Sequence, residues 1–119
     1  MKSRTIQRLD VPTVMLIGLP EPHVVVCADV VATTGFRVLR VAHAAAAAER
    51  IPIIMPKLVV VSSALPARDH EALADRCVAV GAELLTLGAQ ADVEAARELV
   101  RGAISALQHR GGFGEIWDD

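Results

Sequence analysis

Residues Lys57–Pro66 read KLVVVSSALP. Leu58 to Val61 form a continuous apolar run, largely β-branched, that ends at two serines and a Leu-Pro pair. A short run of this kind, bounded by a turn, predicts a strand buried on both faces. Such strands occupy the middle of a parallel sheet covered by helices on both sides. In sheets of that type ligands gather at the carboxyl ends of the strands, which places Ser62 and Ser63 at the edge where function concentrates.

The rest of the chain fits around that strand. Its 119 residues suit one domain with a core of its own. The mean hydropathy is +0.43, and the hydrophobic fraction of 53% comes mainly from alanine and valine, since aromatics make up only 3%. Small and β-branched side chains suit close packing of helices on a sheet. A net charge of −2 gives no field that would recruit nucleic acid or an anionic membrane. Cys27 and Cys77 stand alone within separate helical patterns, with no Cys-x-x-Cys or Cys/His spacing, so no metal site is expected and both read as core residues. No apolar run reaches the roughly 20 residues of a membrane span, and Val14–Leu19, bracketed by Pro12 and Pro20, is too short for a secretion signal. The expected compartment is the cytoplasm.

In order, residues 1–12 form a polar N-terminal arm, 13–110 the α/β domain and 111–119 a C-terminal tail. Thr13–Gly18 predicts a buried strand. A helix follows over His23–Thr34, with Pro22 at its first position and Gly35 beyond its end. Arg37–Ala42 alternates arginine with apolar residues and predicts a strand near a sheet edge. Ala42–Arg50 is an alanine-rich helix, and Pro52 and Pro56 are expected to stop it before Ile51–Pro56. After the central strand, Ala67–Val80 carries Leu73, Cys77 and Val80 at helical spacing. Glu83–Leu87 is a fourth strand. Ala91–His109 is the last helix, with Val93, Ala96, Val100, Ile104 and Leu107 on one stripe. Strand and helix alternate four times. That predicts a three-layer, flavodoxin-like parallel sheet of four strands in the order 2-1-3-4.

From Val14 to Leu107 the chain resembles the receiver domain of bacterial response regulators. VMLIG is similar to that family's first strand, and GFRVLRVAHAAAAAE to its second strand and helix. MPKLVVVSSALP is similar to its third strand, P-D-L-V-x-x-D-x-x-x-P, and VGAELLTLGAQADVEAARELVRGAI to the Gly-Ala lead-in and last strand and helix. The resemblance implies a signalling domain that is phosphorylated on aspartate. Its chemistry does not carry over. The acidic pair that holds Mg²⁺ falls on Gly18 and Leu19, the phosphoacceptor aspartate on Ser62, and the lysine of the last strand on Gly88. No lysine follows Lys57. One strand–helix unit is missing, leaving Thr86 as a stand-in for the family's Ser/Thr switch residue. Aspartyl phosphorylation needs a carboxylate nucleophile, a metal and a cation, and all three positions are altered. The resemblance therefore implies a degenerate pseudo-receiver, with no catalysis and no cofactor.

Other readings compete at the same edge. His43, Ser62, Ser63 and Glu21 have the residue types of a hydrolytic triad, but no G-x-S-x-G elbow is present, and serines at a strand end commonly bond loop amides. Glu21-Pro22-His23 and Ser63-Ala64-Leu65 are similar to the D-x-H-x-x-G and S-x-L motifs of corrinoid-binding domains, with Val26 where the glycine must admit the ligand. The alternative to a regulatory module is thus a small-ligand binder at the carboxyl edge of the sheet. For a protein partner or a second copy of the chain, two apolar features stand out. Val24 and Val25 point well apart on the first helix, so one faces outward. Phe113, Ile116 and Trp117 form an apolar set in the tail, behind a Gly111-Gly112 break.

Overall fold

A computed structural model describes residues 11–110 of the chain. Four strands form one sheet: β1 (Thr13–Ile17), β2 (Arg37–Val41), β3 (Leu58–Ser62) and β4 (Glu83–Leu87). All three strand pairs are parallel, and the order is β2-β1-β3-β4, as the alternation of elements predicts. Burial follows that order. Every residue of β3 is buried, and in β1 only Thr13 is not, because both strands have neighbours on either side and helices above and below. β2 and β4 lie at the edges, and each exposes its first and fourth residues.

Among the described residues four helices cover the sheet: α1 (Glu21–Thr33), α2 (Ala44–Ile54), α3 (Ala67–Val80) and α4 (Val93–Arg110). The two-residue period of the central strands splits the core into two layers. Val14, Leu16, Leu58 and Val60 pack under α1 and α4, with Cys27, Val30, Val31, Ala96, Val100 and Ile104. Met15, Ile17, Val59 and Val61 pack under α2 and α3, with Ala47, Ala48, Ile51, Leu73 and Cys77. At about 25 cal/mol per Å² of apolar surface, these aliphatic layers supply most of the folding drive.

The helix ends show why the chain turns where it does. Gly35 takes a φ of +87° beyond α1, and Phe36 closes back onto the α1–α4 layer, only 8% exposed. Gly81 ends α3 in the left-handed region at +75°. Asp92 Oδ1 accepts the Ala95 amide at 2.8 Å and caps the start of α4. Along α4, Arg97 reaches Glu94 at 3.5 Å and Asp29 of α1 at 3.8 Å, and Arg101 reaches Glu98 at 2.6 Å.

Two expectations are corrected. Pro22 is the second residue of α1, not the first, because the helix begins at Glu21 after Pro20. The second helix does not stop at Arg50: α2 runs through Pro52 to Ile54. Pro52 sits in the last turn, so the ladder loses the one bond its missing N–H would give to Ala48. The Met55 amide still bonds the Ile51 carbonyl at 2.8 Å, and Met55 then ends the helix at a φ of +54°.

Candidate functional site

The carboxyl ends of the strands carry four loops, and the two serines of Lys57–Pro66 brace the β3–α3 loop and tie it to the β4–α4 loop. Ser62 is the last residue of β3 and is 2% exposed, with its Oγ accepting the Ala64 amide at 3.0 Å. Ser63 Oγ accepts the Ala89 amide in the β4–α4 loop at 2.9 Å, while the Ser63 amide bonds the Leu87 carbonyl at 2.8 Å. Both hydroxyls therefore hold loop backbone. Among the described residues no hydrogen bond joins either serine to His43, which stands exposed at the N-cap of α2. The residue types of a triad are present but are not assembled.

Of the positions that the receiver resemblance singles out, Gly18 leaves β1 with a φ of +61°, and its amide bonds the Val41 carbonyl at 3.1 Å. A Cβ at Gly18 would lie 3.4 Å from Leu65 Cδ2 and 3.8 Å from the Ala42 carbonyl. Leu65, from the β3–α3 loop, thus closes over the end of β1. This is the switch point between β1 and β3, where parallel sheets keep their ligands. Leu19 is half-buried against the α1–α4 layer, and Gly88 is exposed at the end of β4. Thr86 Oγ1 and His70 Nε2 are 2.9 Å apart, tying α3 to β4.

His23 is 3% exposed and sits within the first turn of α1. Its Nε2–H donates to the Ala91 carbonyl at 2.7 Å, and Nδ1 has no partner. The ring locks the start of α1 to the loop before α4. It points inward, bonded to loop backbone and not toward the open edge.

Among the described residues, an opening at this edge lies on the β2 side of β1. A cleft of about 490 Å³ is lined by Leu16, Gly18, Leu19, Glu21, Val24, Arg40, Val41 and Ala42. Arg40 lies beside Leu16 in the strand register and shares the α1 side of β2 with Val38. Of the two valines expected to diverge, Val24 turns half-buried into this cleft and Val25 outward, at 53% exposure. The sequence reading missed the cleft. Its one legible signal was the parity of Arg40, two positions from an inward-facing valine. The end of α2 lies on the opposite face of the sheet and does not cover Val25. Phe113, Ile116 and Trp117 lie outside the described residues, as do the N-terminal arm through residue 10 and the Gly111-Gly112 break.

Among the described residues no group of three His, Cys, Asp or Glu side chains is placed to hold a metal ion. No described helix is long and apolar enough to cross a membrane.

The fold has solved counterparts. The chain is similar to the signal receiver domain of a putative LuxO repressor protein from Vibrio parahaemolyticus, at a TM-score of 0.58 and 14% identity over 92% of this chain and 98% of that one. It is similar to the signal receiver domain of a modulated diguanylate cyclase from Desulfovibrio desulfuricans G20, at 0.55 and 19% identity over 76% of each chain. A de novo designed Rossmann 2x3 fold protein gives 0.56 and 14% identity, over 85% of this chain and 91% of that one. At these identities the likeness is one of fold: a parallel α/β sandwich that receiver domains share. No protein-family model and no curated protein matches the sequence.

Proposed function

We propose that this chain is a receiver-like regulatory module that works through protein contact and not through aspartyl phosphorylation. The observation that carries this reading is the state of Ser62. By the receiver resemblance it stands at the phosphoacceptor position, and it is nearly buried with its Oγ engaged by the Ala64 amide. A seryl hydroxyl in that place has no carboxylate to form an acyl phosphate, and Gly18 and Leu19 bring no side-chain carboxylate for Mg²⁺. The switch point is closed by Leu65 as well.

The apolar surface of the helices supports contact as the means of signalling. Val25 on α1 and Leu99 on α4, 53% and 48% exposed, give the α1–α4 layer apolar surface facing away from the sheet. The tail residues Phe113, Ile116 and Trp117 belong to the same proposal. Trp117 is the only tryptophan, so its emission reports whether a partner or a second copy covers it.

The deciding experiment is a titration of the chain with Mg²⁺ and beryllofluoride, a phosphoryl mimic, followed by amide NMR. The expected result is no saturable shift at Gly18, Ser62 or Gly88. Specific saturation at those amides would show a working phosphorylation site and overturn the proposal.

A further inference from the structure

The cleft beside β2 borders the degenerate phosphorylation positions at Gly18 and Leu19 but extends away from Ser62 and Gly88, toward Arg40 and Glu21. Its apolar wall is made by Leu19 and Val24, both half-buried, over the buried Leu16, while the Val41 side chain packs in the α2–α3 layer. Two opposite charges, Arg40 from β2 and Glu21 from the first turn of α1, line the same opening. Among the described residues they form no ion pair with each other or with any third group. The cleft is also held in place, since the Gly18 amide ties the β1–α1 loop to the end of β2 at 3.1 Å.

This charge arrangement selects a class of ligand. A simple anion on Arg40 would meet the carboxylate of Glu21 at the same opening. A simple cation on Glu21 would meet the guanidinium. A nucleotide would bring several negative charges to Glu21, and none of the residues lining the cleft is aromatic to stack its base. A molecule with one positive and one negative end satisfies both groups together. At about 490 Å³ the cleft lies within the usual range of roughly 300–1,000 Å³ for small-molecule sites.

We propose that the cleft between α1 and β2 binds a small zwitterion with an aliphatic body, an α-amino acid of the leucine type. Its carboxylate lies on the Arg40 guanidinium, whose planar fork matches a carboxylate in bidentate fashion. Its ammonium lies on Glu21. Its side chain lies against Leu19 and Val24. Both protein charges are exposed, so the expected affinity is modest, a Kd of about 1 mM. Occupancy would couple the loop after β1 to the start of α1, the helix that carries Val25.

The test is an amide NMR titration of the full chain with L-leucine, N-acetylleucine, leucinamide and glycine. Leucine is expected to give saturable shifts at Gly18, Leu19, Arg40 and Ala42. N-acetylleucine lacks the ammonium, leucinamide the carboxylate and glycine the aliphatic body, and each is expected to bind about tenfold or more weakly. Arg40→Gln and Glu21→Gln are each expected to remove the leucine shifts while leaving the remaining spectrum dispersed. Should either variant fail to fold, the four-probe series on the unaltered chain decides alone. The proposal is overturned if leucine at about 10 mM, roughly ten times that Kd, gives no saturable shift. It is equally overturned if the four probes bind alike, or if the folded variants bind leucine unchanged.

Discussion

At Gly18 one residue carries two demands. Its φ of +61° lies in the left-handed region, and a Cβ there would reach Leu65 Cδ2 at 3.4 Å. A left-handed L-residue costs about 1–2 kcal/mol, and the added methyl would sit in van der Waals contact with Leu65. Gly18→Ala is therefore expected to lower stability by about 1–2 kcal/mol in urea denaturation, and a loss below about 0.5 kcal/mol would show that the loop relaxes freely. The sequence placed Gly18 at the end of the first strand but gave no sign of what closes over it, because that contact comes from Leu65, far along the chain. The serines were more legible. A hydroxyl at a strand end has loop amides within reach, and that local preference is what Ser62 and Ser63 follow. His23 was not legible: nothing in the local pattern shows that its ring turns inward to the Ala91 carbonyl.

At the scale of elements, strands were read well because their burial is a matter of period. The all-apolar runs became the central strands β1 and β3, and the arginine alternation became the edge strand β2. Helix ends were read less well. α2 passes Pro52 because a proline in the last turn forfeits a single bond, a cost that packing of Ile51 in the α2–α3 layer offsets. Two elements offer routes to a dimer, and substitutions separate them. Val25 is exposed on α1, so Val25→Asp is expected to change stability by less than about 0.5 kcal/mol while abolishing association through that helix. Leu85 is half-buried on the edge strand β4, against the α1–α4 layer, and Leu85→Lys is expected to cost about 1–3 kcal/mol. Light scattering beside denaturation distinguishes them. Association that survives Val25→Asp would remove the α1 face from the contact.

For the whole molecule, the sheet order followed from the alternation of strand and helix, whereas the position of the cleft did not. Which side of β1 stays open depends on how Leu65 closes over the β3 side. The same sheet divides the core in two, and the chain carries one thiol in each half. Cys27 lies in the α1–α4 layer, fully buried, and Cys77 in the α2–α3 layer, 2% exposed. Burial pushes both thiols up from 9.0 to about 11, because the thiolate would lose its hydration. The thiolate is the reactive form, so the native state is expected to resist thiol reagents, with labelling gated by opening of the fold. The central strands β1 and β3 contribute side chains to both layers, so neither layer can open fully without disturbing the other. Cys27 and Cys77 are therefore expected to label at one common rate in mass spectrometry, rising together with denaturant. A Cys27 that labels well ahead of Cys77 would instead show the α1–α4 layer opening by itself. The same shifts fix the sign of an alkaline effect. The folded thiols hold their protons above the pH at which the unfolded thiols release theirs, so this contribution to stability is whole below about pH 9 and is lost as pH rises toward about 11. Urea midpoints taken at neutral pH and again above pH 9 are expected to fall for the natural chain, and to fall less for the Cys27→Ala, Cys77→Ala double variant. An equal fall in both would assign the alkaline loss to other groups.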